Sequence, residues 1–277
     1  QAAEQGICLA NFCTENHRTT EAIFRAAHTF GWRHGKPGLP VIISATANYP
    51  IEPQLQHYTG AGDATLGLRA LLADVDTFLS PDSPYCDVTV MLHLDHALPD
   101  YEAEIIPRCL GRFATIMYDC SYYPFDENIR RTAQFVEQHG RQVVVEGCVD
   151  EIVQAENAAT AEGRLTDPAQ AERFLCQTGV ELIVPNVGTE HRSTAASAHY
   201  DGELARRISL RVGPRLVLHG SSSLRDADLP RLASDGIIKF NVWSIFERLG
   251  GQAVAEHVVR NLGNMLPAAM IAAWQEE

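Results

Sequence analysis

The stretch Val90-Met91-Leu92-His93-Leu94-Asp95-His96 places three reactive side chains within and directly after an apolar run. Such a run predicts a strand covered on both faces, the situation of a parallel sheet wrapped by helices. Including the run Val88 to Leu94, eight short stretches share this character. The others are Ile7 to Phe12, Pro40 to Ser44, Thr115 to Tyr118, Gln142 to Val145, Leu182 to Val187, Arg215 to Leu218 and Ile237 to Val242. Strands alternating with helices in this number predict a closed (β/α)8 TIM barrel.

The helices between the strands carry their own signals. Thr19 or Thr20 is expected to cap a helix with Ile23, Ala27 and Phe30 on one face, and Asp63 to open another carrying Leu66, Ala70 and Val75. Glu127 to His139, stopped by Gly140, predicts the helix before the fifth strand. Asp167, Pro168 and Gly179 supply an N-cap, a first-turn proline and a terminating glycine for a fourth. With no linker, repeat or low-complexity segment, residues 1–277 are expected to form a single domain.

Composition narrows the partners. The chain has 277 residues, 45% of them hydrophobic, which suffices for one barrel. Acidic residues outnumber basic ones by 35 to 22, for a formal charge of −13, so the field opposes binding to nucleic acid or to an anionic membrane. No stretch approaches the roughly 20 apolar residues of a membrane span, and Gln1-Ala-Ala-Glu-Gln lacks the features of a signal peptide, so a cytoplasmic protein is expected. Seven cysteines without a C-x-x-C pair argue against a disulfide framework or a thiolate zinc site.

In a barrel of this kind the chemistry sits at the C-terminal ends of the strands. Asp95-His96, Asp119, Glu146, His191, His219-Gly220 and Asn241 all fall at or just past such ends. Three of the eleven histidines, His96, His191 and His219, follow strand-like runs. Three imidazoles plus an open position is an arrangement that catalytic zinc sites use. His93 and Asp95 share one strand face, whereas His96 points the other way unless the backbone turns at Asp95. A Schiff-base alternative needs a lysine, and the chain has only Lys36 and Lys239. Lys239 shares the strand parity of Asn241 and is either that nucleophile or an interior lysine paired with an acid.

Seven motifs run collinearly: Leu92-His-Leu-Asp-His96, Asp119-x-Ser121-x-x-Pro124-Phe-x-Glu127-Asn128, Val145-Glu-Gly, Thr166-Asp-Pro, Gly188-Thr-Glu-His191, Leu216-Val-Leu-His-Gly220 and Lys239-x-Asn241-Val. In this order and spacing the chain resembles the zinc-dependent class II fructose-bisphosphate aldolases over about residues 7–245. The resemblance implies Zn2+, or another divalent transition metal, on His96, His191 and His219, with Glu146 as an alternative ligand. It implies Asp95 as acid/base, Asn241 steadying the enediolate of a dihydroxyacetone phosphate donor, and Glu156 in a loop moving the donor's α-proton. Gly188, Gly220, Ser221, Ser222 and Ser244 then fall where substrate is bound. A homodimer or homotetramer acting on a phosphorylated sugar is the family expectation.

Two departures from the family pattern bear on the donor. His219-Gly-Ser-Ser-Ser replaces a glycine-rich loop, and Arg192 stands where the family has glycine after its second histidine. Arginine suits carboxylate or phosphate, so Arg192 joins the candidate substrate-binding set unless it is a surface residue. An aldolase with a different hydroxy-ketone or keto-acid donor, and a catalytically silent barrel serving a partner subunit, are the alternatives carried forward.

Overall fold

In a computed structural model, residues 2–151, 165–189 and 199–267 are described. They divide into two compact units, Gln1–Val242 and Trp243–Glu277. The first unit holds eight parallel strands closed in sequence order into a barrel. They are β1 (Leu9–Cys13), β2 (Pro40–Thr46), β3 (Thr89–Ala97), β4 (Thr115–Tyr118), β5 (Val144–Cys148), β6 (Leu182–Val184), β7 (Leu216–Leu218) and β8 (Ile237–Val242). The second unit contains the helix Ser244–Met265. No described helix is long and apolar enough to cross a membrane.

The helices follow their local signals closely. Asp63 caps Ala64–Phe78 by accepting from the Leu66 amide, and Asp167 caps Pro168–Thr178, which ends on left-handed Gly179. The helix His17–Arg33 begins earlier than Thr19 or Thr20 predicts, because Asn16 is the cap and accepts from the Thr19 amide. Phe30 and Leu66, expected on inner faces, are exposed, and Phe24, Leu68 and Leu71 take those places. Each such burial is worth roughly 1.5–3 kcal/mol.

Two apolar layers result. The large one lies between strands and helices and includes Phe24, Leu68, Leu94, Ile116, Phe174 and Leu218. The small one fills part of the barrel interior with Met117, Cys148, Val184 and Val217, against which Leu182 packs. All seven cysteines are free.

The fifth strand starts two residues later than its apolar run suggests, at Val144, and carries Glu146 within it. Glu146 is therefore inside the barrel wall and not past its end. β6 stops at Val184, before Pro185, whose missing N–H cannot extend a ladder. β3 continues to Ala97, three residues beyond its predicted end, and this extension shapes the site.

Candidate active site

β3 delivers two adjacent side chains to one place. Strand period sends His93 and Asp95 inward and His96 outward. The backbone departs from the period: His96 has φ +45°, the one positive φ at a non-glycine among the described residues. The ladder to β4 shifts register between Leu94 and Ala97. This bulge turns His96 back beside Asp95, at a cost of roughly 1–2 kcal/mol for a left-handed residue with a side chain.

Contacts around the ring hold that conformation. Nδ1 of His96 lies 2.8 Å from Asp119 Oδ2, and Asp119 Oδ1 accepts from the Ser121 amide at 3.0 Å and its hydroxyl at 2.6 Å. Tyr49, following β2, stacks on the imidazole with ring centroids 4.4 Å apart and planes 10° from parallel. The His219 ring meets it edge-on at 5.0 Å.

His219 arrives by the ordinary route. It stands two residues after Val217, which faces the interior cluster, so the period alone turns it inward. Its carbonyl accepts from the Thr189 hydroxyl at 2.7 Å. From β8, Asn241 Nδ2 donates to Asp95 Oδ2 at 3.0 Å and lies 3.1 Å from His219 Nε2. The carboxylate needs a donor, which fixes the amide orientation.

Electrostatics reinforce the geometry. Burial by itself would raise the Asp95 carboxyl, but His219, His96 and His93 hold it well below the usual carboxylate range. Burial likewise opposes charge on His96, yet Asp95 and Asp119 push its pKa up. Asp119 is held down, against its burial, by His96 and Ser121. Desolvation, then Asp119 and Asp95, raise the Tyr49 hydroxyl, which stays protonated.

One donor atom from each of Asp95, His96 and His219 lies within 4.8 Å of the others, all three residues being buried. Two imidazoles and a carboxylate, with a second carboxylate on the far nitrogen of one ring, is a donor set that fits a divalent transition metal. His191, Arg192 and Glu156, named from sequence, lie outside the described residues. Glu146 is not brought to this group, since both its oxygens accept from Lys239 Nζ, at 2.7 and 2.8 Å. The same pair makes Lys239 an interior lysine matched with an acid, not a free amine.

The loop residues fall as follows. Gly188 has φ +87°, and a β-carbon there would come within 2.5 Å of the His199 carbonyl oxygen. Gly220 is left-handed at φ +68°, and Ser221–Ser223 form a 3-10 turn after it, so the serines replacing glycine need no positive φ. Ser221 donates its hydroxyl to the Asn241 carbonyl, Ser222 lies in the same turn, and Ser244 opens the helix of the second unit.

Two residues near this group have no place in the sequence-based set. Tyr49 is one. Asn11 is the other: it is level with Asn241 in the β1–β8 ladder. Among the described residues neither of its buried amide atoms has a hydrogen-bond partner, nor does Asn241 Oδ1. A polar residue inside Leu9-Ala-Asn-Phe-Cys, in a strand covered on both sides, is the signal that marks it.

Comparison with known proteins agrees with this architecture. The sequence model of the family "Fructose-bisphosphate aldolase class-II" matches residues 1–276. A probable fructose-bisphosphate aldolase of Bacillus subtilis (strain 168) is 28% identical over 257 residues, covering 92% of this chain and 82% of the relative. The 6-phospho-5-dehydro-2-deoxy-D-gluconate aldolase of Shouchella clausii (strain KSM-K16) is 33% identical over 160 residues, 56% of this chain and 53% of that one. In fold, the crystal structure of fructose-bisphosphate aldolase from Campylobacter jejuni superposes with a TM-score of 0.71 at 16% identity, covering 96% of this chain and 80% of that one. The chain belongs to the class-II fructose-bisphosphate aldolase family and is a lyase of the aldolase type.

Proposed function

We propose that this aldolase is zinc-dependent and makes or cleaves a carbon–carbon bond in a phosphorylated ketose. The observation that carries the reading is the left-handed turn at His96, which sets a histidine and the neighbouring carboxylate of Asp95 together beside His219. His96, His219 and, outside the described residues, His191 would hold the metal. Bound there, a divalent ion supplies Lewis-acid stabilisation of negative charge developing on a carbonyl oxygen.

The chain's own groups do the rest. Asp95, ionised and held by Asn241, accepts the proton of the substrate hydroxyl next to the breaking bond and returns it in the condensing direction. Asn241 keeps its Oδ1, and Asn11 its whole amide, for substrate hydroxyls. Glu156 moves the donor's α-proton, and Gly188, Arg192, Gly220, Ser221 and Ser222 bind the substrate. Residues 1–277 act as one aldolase domain on this reading, which the family match over residues 1–276 supports.

A second substrate class, in which the half released as aldehyde carries a carboxylate, is favoured by one specific relative. The 33% identical protein is named for a phosphorylated keto-sugar acid, and Arg192 offers a group for a carboxylate. Cleavage of fructose bisphosphate, tagatose bisphosphate and the phosphorylated dehydro-deoxygluconate, assayed side by side with zinc-loaded and chelated protein, decides between them. Cleavage of one substrate that depends on the metal is expected. Undiminished turnover after chelation, or no turnover of any phosphorylated ketose, would overturn the proposal and, in the latter case, favour the silent barrel.

A further inference from the structure

Below Asp95 the barrel interior is unusually polar. Barrel interiors are normally filled by branched apolar side chains, as Met117, Cys148, Val184 and Val217 do on the β4–β7 side. Yet Lys239 of β8, Glu146 of β5 and His93 of β3 are buried at 2%, 0% and 0% exposure. A buried ion pair gains little stability over apolar residues of the same volume, because removing two charges from water offsets their attraction. Stability alone is a weak reason for this group.

Its connections run upward. Both oxygens of Glu146 accept from Lys239 Nζ, at 2.7 and 2.8 Å. Glu146 Oε1 lies 3.7 Å from His93 Nδ1, and the same nitrogen is 2.6 Å from the Thr115 hydroxyl. The other ring nitrogen, Nε2, is 3.4 Å from Asp95 Oδ1. An ionised Asp95 can only accept, so the ring hydrogen belongs on Nε2 and Nδ1 takes the Thr115 hydroxyl hydrogen. Asp95 is then gripped at both oxygens, by His93 from beneath and by Asn241 at the side.

We propose that His93, seated on the Lys239–Glu146 ion pair and Thr115, is a positioning residue that fixes the rotation of the Asp95 carboxylate. This rests on Asp95 being the acid/base. A carboxylate free to rotate about its χ2 spends little time aimed at the substrate hydroxyl, and misplacement by about 1 Å costs on the order of 10²-fold in rate. The ion pair serves by keeping Glu146 from turning toward Asp95, where two like charges would repel.

The test compares four variants of the zinc-loaded protein. His93→Leu is expected to lower kcat about 10- to 100-fold with KM and metal content unchanged, in line with the effects of orienting groups around other sites. His93→Gln, which keeps an N–H donor, recovers part of that loss. The double variant Lys239→Met with Glu146→Leu replaces the pair by apolar volume; it folds, and its kcat falls in the same way. Asp95→Asn is the reference. If Asp95→Asn is inactive while folded His93→Leu and the double variant both keep wild-type kcat, the positioning role is overturned and the acid/base reading stands. If Asp95→Asn stays active, it is the acid/base reading that fails. Loss of metal together with kcat in His93→Leu would also overturn the proposal, by placing His93 in metal retention.

Discussion

His96 and His219 reach the same place by opposite means. His219 continues the inward parity of β7 and needs no unusual backbone, while His96 breaks the parity of β3 through a left-handed residue. The first is a consequence of the strand, the second of a bulge that the surroundings must hold. The difference shows where this site is robust and where it is vulnerable. His219 depends on the wall, and His96 depends on Asp119 and Tyr49.

The largest expected effect does not distinguish them. His96→Ala and His219→Ala should each lower turnover by about 10³-fold or more, since either removes several kcal/mol of charge stabilisation with the metal. Metal analysis and steady-state kinetics read this out, and near-normal zinc and turnover in His219→Ala would break the comparison at its base. Next in size, Asp119→Asn should weaken zinc about 10- to 100-fold, measured by competition with a chromophoric chelator. Thr189→Val, which removes the hydroxyl that donates to the His219 carbonyl, should weaken it less. Equal losses would mean that the two histidines are held alike.

A smaller effect isolates the backbone. Without metal, His96→Gly should be more stable than His96→Ala by roughly 1–2 kcal/mol, because glycine accepts φ +45° without the β-carbon clash. No corresponding gain is expected for His219→Gly over His219→Ala. Denaturant unfolding of the metal-free proteins tests both. The smallest effect is in acid. Asp95 and Asp119 titrate below their unfolded values, so their stabilisation is complete above about pH 4. It fades as pH falls through the lowered folded values. Asp119→Asn should flatten that acid limb in unfolding curves, and an unchanged slope would sink the assignment.

Much of the fold was legible in the chain because its signals are local. Apolar runs marked all eight strands, and caps such as Asp63 and Asp167 marked helix starts. Glu146 was misplaced because the Val143-Val144-Val145 run does not show where pairing begins; the ladder starts at Val144 and puts the carboxylate inside. Tyr49 and Asn11 carried weaker signals. An aromatic in a loop after β2 says nothing of a ring 47 residues away, whereas a polar residue within a buried strand does announce itself.

By itself, then, the sequence determined the eight-strand alternation and the set of reactive side chains at strand ends. It also put His93 on the face of Asp95, because period and propensity act between near neighbours. Only the tertiary structure decided that His96 turns left-handed and that Lys239 meets Glu146. It alone set Asn241 on Asp95, across 146 residues of chain. Those outcomes depend on barrel closure, which brings together groups whose separation along the chain carries no trace of their distance in space.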